Sequence, residues 1–496
     1  MPDQASKHSN KLFSASQIRE LDRTAIEQHG ISGIELMTNA GRHAWELLDH
    51  SWPDTNRIVV VCGGGNNAGD GYVLAKYAIE HGKNVDVIAL VDPAKLKGDA
   101  KTAADTFIKT GEKPVLFSEQ VLSSADVIVD ALLGTGLDRD LANEFLLAIN
   151  TINKTEKPVL SIDIPSGLNA DTGRPMGVAI NAKHTCTFIG LKKGLFTGLG
   201  PDYCGKVHFF DLDVPQETYD VTSASAQLIR FDALKGLLTT RKSSAHKGNF
   251  GHVLIVGGDY GYAGAVCMSA EAAARCGAGL VSVATRPEHA FNIPLSRPEI
   301  MAVGVTEPAD MNPLLKRATV VAIGPGLGQS EWSMSVLSHV LDTGLPLIVD
   351  ADALNLLSQD SATRDNWVLT PHPGEAARLL DCTTREIEAD RFASATEIQK
   401  KYGGINVLKG RGTIISDTNG QCFVSAEGNP GMATGGMGDI LTGVIAGLYA
   451  QLNDLDAAAK LGVCLHAVSA DRAVEQGERG MLAMDVIPWL RHYVNS

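Results

Sequence analysis

Residues 428–439 read GNPGMATGGMGD, and the apolar run ILTGVIAGLYA follows at once. Five of the twelve residues are glycine, and the stretch closes on a single acid, Asp439. The apolar run predicts a helix starting near Gly438, whose first turn carries unpaired N–H groups and the positive end of the helix dipole. Glycine at 435, 436 and 438 lets an anion approach that backbone without meeting a Cβ. An acid in a first turn is also stabilised by the dipole alone, which accounts for Asp439 but not for the glycine around it. The two together suggest a hole for a transferring phosphoryl group. Asp439 would take the proton of the attacking hydroxyl.

The surrounding sequence has the rhythm of a parallel α/β sheet. HVLIVGG (252–258), GLVSVAT (279–285), VVAIGPG (320–326), PLIVDADAL (346–354), NWVLTPHPGE (366–375) and INVLKGRG (405–412) read as successive buried strands. Several run into chemistry-bearing turns. GPGLG (324–328) can wrap a ligand, and Asp350 and Asp352 stand at a strand end, where acids approach a magnesium nucleotide or cap the next helix. His372 and Glu375 stand at another. Lys409-Gly-Arg-Gly-Thr413 is either a phosphate cradle or a basic hairpin turn. There is no GxxxxGK[ST], so this is not a P-loop protein.

The N-terminal part follows the same plan. RIVVVC (57–62), VDVIAL (85–90), VIVDAL (127–132) and PVLSIDI (158–164) read as strands, and SASQIRELDRTAIEQHG as an amphipathic helix capped by Ser14. The first strand runs into GGGNNAGDG (63–71). Gly63, Gly65 and Ala68 fit G-x-G-x-x-A and Asp92 follows the second strand, so a dinucleotide site competes. The loop holds more than that pattern requires, namely Asn66, Asn67 and Asp70. A helix from Gly71 would offer N–H groups to an anion, while the asparagine carbonyls offer neutral oxygens to an alkali cation or an amide. A tight turn that merely needs glycine is the bland alternative. ALLGTGLDRD (131–140) and DIPSGLNADTG (163–173) end two more strands, so Asp130, Asp140, Asp163 and Ser166 are expected to converge with Asn66 and Asn67 beyond the carboxyl ends of the sheet.

With 496 residues the chain exceeds one ordinary core, and the irregular segment 211–238 places a boundary near residue 220. Domains 1–220 and 221–496 are expected. A net charge of −14 excludes a general binder of nucleic acid or anionic membrane. The eight cysteines have no CxxC spacing, the polar start lacks an apolar h-region, and no apolar stretch is long enough to span a membrane. A cytoplasmic enzyme acting on small molecules, and a homo-oligomer, are expected.

GGGNNAGDG, DALLGTGL and DIPSGLNADTG, in that order, resemble the YjeF N-terminal family of NAD(P)H-hydrate epimerases over roughly residues 10–215. The resemblance implies potassium ligands at Asn67, Asp130 and Ser166. It implies substrate contacts at Asn66, Asn67, Ala68, Gly69, Asp70 and Asp163, and along the loop Gly134, Thr135, Gly136, Leu137, Asp138, Arg139 and Asp140. Either Asp140 or Asp163 would move protons. From KGNFGHVLIVGG onward, GPGLG, DADALN, TPHPGE, KGRGT and NPGMATGGMGD resemble the YjeF C-terminal family of ADP- or ATP-dependent NAD(P)H-hydrate dehydratases. This implies nucleotide contacts at Lys409, Gly410, Arg411, Gly412, Thr413, Gly435, Gly436 and Gly438. It implies substrate contacts at Ala263, Gly326, Gly328, His372 and Asp439, with Mg2+ arriving with ADP. The fold class implied is α/β: an N-terminal Rossmann-like three-layer sandwich and a C-terminal ribokinase-like domain. The alternative is a ribokinase-like kinase of a small vitamin alcohol with a passive nucleotide-binding N-terminal domain.

Overall fold

The computed structural model describes residues 8–496; the polar opening stretch 1–7 lies outside the described residues. Two compact units form, dividing between Gln227 and Leu228. The division falls beyond residue 220 because segment 222–227 is tied to the first unit. Gln17 Nε2 donates to the Ser223 carbonyl at 2.6 Å, Ser225 Oγ meets Gln17 Oε1 at 2.5 Å, and residues 226–227 pair antiparallel with Lys11 and Leu12.

In the first unit six parallel strands lie in the order Asn84–Ala89, Arg57–Cys62, Val127–Ala131, Val159–Ile162, His184–Phe188 and Lys206–Phe210. Ile58 to Val61 are fully buried, as expected for a strand covered on both faces. Each such side chain contributes roughly 1.5–3 kcal/mol of burial. The chain goes from Arg57–Cys62 to one neighbour, then returns to pair Val127–Ala131 on the other side. That reversal opens a crevice at the carboxyl ends. Helix Ala15–Glu27 has the expected cap. Ser14 Oγ accepts from Gln17 N at 3.2 Å, and the Gln17 side chain accepts from Ser14 N at 2.9 Å. The helix Gly33–Ser51 and the last two strands of the sheet carried no signal that the sequence reading used.

In the second unit the parallel strands lie in the order Met301–Gly304, Leu280–Thr285, His252–Val256, Val320–Ile323, Leu347–Val349, Trp367–Leu369 and Ile405–Leu408. Antiparallel Thr413–Ser416 and Cys422–Ser425 follow. Chain order reverses between His252–Val256 and Val320–Ile323, the same device as before. Two expected strands are shorter than read. PLIVDADAL stops at Val349 and turns into helix Ala351–Gln359, and NWVLTPHPGE stops at Leu369 and turns into helix Pro373–Leu380. Asp and His-Pro at those points favour helix starts over further extended chain. Among the described residues no helix is long and apolar enough to cross a membrane.

Candidate active sites

In the first unit the helix after the glycine turn begins at Asn66, with Gly65 extended as its cap, and not at Gly71. NNAGD therefore forms the first helical turns. Two glycines there serve packing. A Cβ on Gly69 would lie 2.4 Å from Met37 Sδ, and one on Gly71 2.5 Å from Ala131 Cβ. Asn67 is 7% exposed. Its Nδ2 donates to the Leu133 carbonyl at 3.0 Å, while its Oδ1 is buried without a partner. Asp130 and Ser166 are fully buried. The Asp130 carboxylate accepts from Ser166 Oγ (2.5 Å), Ser166 N (2.8 Å), Ser161 Oγ (2.8 Å) and Leu132 N (3.2 Å). Burial pushes its pKa up despite these bonds. Ser166 Oγ accepts from Leu133 N at 2.8 Å, so all three predicted ligand residues meet around the backbone of Leu133. An unpartnered amide oxygen close to a buried carboxylate fits a monovalent cation held by oxygens.

Beside this cluster opens a cavity of about 560 Å³. Its wall includes Asn66, Asn67, Asp70, the loop Gly134–Arg139 and Asp163, together with Asp22 from helix Ala15–Glu27. Asp163 adopts φ 67°, a left-handed conformation costing a non-glycine residue on the order of 1–2 kcal/mol. Its carboxylate pairs with the ammonium of Lys192, a fully buried lysine that also donates to Thr187 Oγ1 (2.9 Å) and the Phe188 carbonyl (3.0 Å). Burial holds Asp70 well above the carboxylate range, and Asp163 and Asp22 add repulsion. Ala68 and Gly69 turn away from the wall into the core, and Asp140 is exposed outside it. Asp92, the acid after the second strand, caps the short helix Pro93–Lys95.

In the second unit the helix begins at Met437, capped by Gly436 at φ 92°, and Asp439 lies in its first turn. Gly435 faces open space. A Cβ on Gly436 would press on Met268 Sδ at 2.6 Å, and one on Gly438 would lie 3.2 Å from Lys409 Nζ. Lys409 stands beside this first turn with its ammonium engaged by acids of the same unit. Its ammonium pairs with buried Asp350 at 2.6 Å and approaches Glu375 at 3.8 Å. Asp350 also accepts from Thr442 Oγ1 at 2.7 Å. Asp439 has its pKa pushed to about 7, chiefly by burial, with repulsion from Asp350 opposed by Lys409. KGRGT is the hairpin turn between antiparallel strands, with Gly410 at φ 131° and Gly412 at φ 64°, and Thr413 Oγ1 donates to the Gly410 carbonyl at 3.0 Å. Buried Arg391 donates to the Lys409 carbonyl at 3.1 Å and braces that turn from beneath. Arg411 donates to the Gly428 carbonyl, linking the turn to the GNPG stretch.

His372 caps helix Pro373–Leu380. Its Nδ1 accepts from Gly374 N at 2.9 Å, so that nitrogen is unprotonated, while Nε2 faces Glu375 at 3.4 Å. Burial lowers its pKa. Gly326 and Gly328 have φ of 55° and 70°. Asp259 N donates to the Gly326 carbonyl at 2.6 Å, and Gly328 N donates to Asp352 at 2.9 Å, which brings the loop before Ala263 against GPGLG. Helix Ala263–Arg275 starts there. Sequence reasoning missed Asp22, Lys192 and Arg391. Lys192 sits in GLKKGLF, where nothing marks one lysine of the pair as buried.

Residues 33–194 match the family described as YjeF-related protein N-terminus, and residues 253–491 the family described as NAD(P)H-hydrate dehydratase. A protein of Coxiella burnetii named bifunctional NAD(P)H-hydrate repair enzyme Nnr is 48% identical over 486 residues, covering 98% of this chain and 99% of its own. The chain belongs to the bifunctional NAD(P)H-hydrate repair enzymes. An Escherichia coli member of that name is 42% identical, covering 98% of this chain and 94% of its own. A ribokinase-like superfamily protein of Enterococcus faecalis is 34% identical with a TM-score of 0.51, covering 54% of this chain and 95% of that one. The second unit of this repair enzyme thus has the ribokinase-like fold expected.

Proposed function

We propose that the first unit interconverts the R and S forms of hydrated NADH or NADPH, and that the second dehydrates the S form at the expense of ADP, giving AMP and phosphate. The observation that carries the reading is Asp439. It is a carboxyl that burial pushes up to about 7, in the first turn of a glycine-approached helix and near Lys409. A base poised near neutrality removes the proton of the ring hydroxyl as the nucleotide's terminal phosphoryl group transfers to its oxygen. Phosphate then departs far more readily than hydroxide would, and loss of a ring proton restores the dihydronicotinamide. N–H groups at Gly435, Gly436 and Gly438 and the KGRGT turn from Lys409 to Thr413 cradle the phosphates, while Ala263, Gly326, Gly328 and His372 border the hydrate. Lys409 acts by neutralising Asp350 beneath the transferring group. Among the described residues no cluster of three or more His, Cys, Asp or Glu side chains is arranged for a metal, so Mg2+ would be carried in on the phosphates of ADP and would spread their charge.

In the first unit Asn67, Asp130 and Ser166 would hold a potassium ion, whose charge helps to seat the anionic substrate. Asp163 is the acid–base group favoured over Asp140, because it faces the cavity, is strained, and is paired with Lys192. A cytoplasmic homo-oligomer working on small molecules, not on nucleic acid or membrane, completes the reading. Net charge of −14 and eight free cysteines support it.

The test mixes R and S NADH-hydrate with ADP, Mg2+ and K+ and follows the near-ultraviolet absorbance of reduced nicotinamide. The full chain should consume both epimers. Asp163→Asn should stop after the S share, and Asp439→Asn should regain nothing. A full chain that restores no absorbance sinks the dehydratase reading and favours a kinase of another alcohol.

A further inference from the structure

We propose that Asp22 is the proton donor of the epimerase site and works with Asp163 as a two-carboxyl pair; this rests on the epimerase reading above. Asp22 lies on helix Ala15–Glu27, outside the segment 33–194 that matches the family, yet it lines the same cavity as Asn67 and Asp163. The charged groups around that cavity are Arg19 on the same helix, Asp22 itself, Asp70, Asp99, Asp138, Arg139 and Asp163, with Lys192 behind. Five acids face three bases. The ammonium of Lys192 has three hydrogens, and Asp163, Thr187 and Phe188 take all of them. Asp163 is therefore the carboxyl paired with the ammonium, and Asp22 is left without that donor. Burial, opposed by Lys192 and reinforced by the Asp163 charge, pushes Asp22 to about 6. One carboxyl held by an ammonium and one without such a partner thus share one cavity, the arrangement that lets one donate while the other accepts.

Adding water to an enamine double bond puts the hydroxyl on the carbon beside nitrogen. The Asp22 proton passes to that hydroxyl, the C–O bond breaks with its electron pair leaving on water, and the nitrogen lone pair closes a C=N+ bond. The Asp163 carboxylate stabilises the iminium. A water adding to the other face forms the new C–O bond, and the proton it sheds goes to Asp163. Proton exchange with solvent resets the pair. No redox partner is needed.

The experiment uses the full chain without nucleotide and R-enriched NADH-hydrate, and follows the R/S ratio by chromatography. Dehydration of pure S form serves as the control on the other unit. Asp22→Asn should lower the epimerisation kcat by roughly 10²–10⁴-fold with KM within a few-fold. In the wild type kcat/KM should fall as pH rises through about 6, and this limb should vanish in Asp22→Asn. Asp22→Glu should regain at least about a tenth of the wild-type rate. The thermal midpoint of Asp22→Asn at pH 8 should stay level or rise, because a buried charge has been removed. A purely structural role predicts the reverse, a falling midpoint and no rescue by Asp22→Glu, and would overturn the proposal. So would Asp22→Asn keeping a rate within threefold of a wild type that does epimerise. A wild type no faster than the spontaneous reaction sinks instead the epimerase reading on which the proposal stands.

Discussion

The two sites share a plan and differ in which acid their lysine neutralises. Both lie at the carboxyl ends of a parallel sheet, both follow a glycine-rich turn into a helix, and both hold one lysine among several carboxylates. In the first unit Lys192 pairs with Asp163, the acid proposed for the chemistry, while burial raises Asp22 and Asp70 against the pull of that ammonium. In the second Lys409 pairs with Asp350, a carboxylate under the site, and leaves Asp439 raised to about 7. In both units burial raises the acids that lack an ammonium of their own, and the lysine opposes that rise from a distance. The glycines differ as well. Gly69 and Gly71 allow helix and sheet to close on one another, whereas Gly435 borders open space.

The sharpest break in the comparison comes from Asp439→Asn. Loss of the base should cut dehydration by about 10³-fold or more while epimerisation continues, measured on the two reactions separately. Next come the lysines. Lys409→Met leaves Asp350 buried and unpaired and should cost about 3–5 kcal/mol in denaturant unfolding of its unit. Lys192→Met should cost less, because the Asp163 side chain is 18% exposed and water can reach it.

A smaller effect follows from the titration of Asp439. As a base it acts deprotonated, and its pKa is raised to about 7. The dehydration rate at saturating nucleotide should therefore climb from pH 6 to pH 8 and level off above. The raised pKa also means the native state holds a proton that the unfolded chain releases. Stability of this unit should decline between the ordinary carboxylate range and pH 7 on this account, and Asp439→Asn should remove that decline in thermal melts. The smallest effects separate the glycines. Gly69→Ala meets Met37 and should destabilise by about 1–3 kcal/mol, while Gly435→Ala should change stability by less than about 0.5 kcal/mol and raise the KM for ADP instead.

Much of both sites was readable as motifs. NNAGDG, DIPSG, GPGLG, KGRG and GGMGD sit at strand ends, where their glycine and acid content had placed them, and Asn67, Asp130 and Ser166 do come together. The misreadings have physical causes. Small polar residues such as Asn66 to Asp70 suit a loop and a first helical turn equally, so the helix start was taken five residues late. His372 has a second role that its proline neighbour explains, since His-Pro starts a helix and His372 caps it. Asp140 looked equivalent to Asp163 in sequence, yet one is exposed and the other faces the cavity.

The sequence by itself determined the two-domain parallel α/β architecture, the strand ends that carry chemistry, and Asp439 in the first turn of its helix. These depend on local periodicity, glycine placement and capping, all written within a few residues of chain. Only the tertiary structure decided the protonation pattern. Whether a carboxyl stands alone in a buried site or beside an ammonium depends on which elements pack together. Lys192 comes to Asp163 from 29 residues away, and Lys409 to Asp350 from 59. Asp22 joins the first cavity from a helix that precedes every motif, because packing brings it there and no local pattern records that proximity.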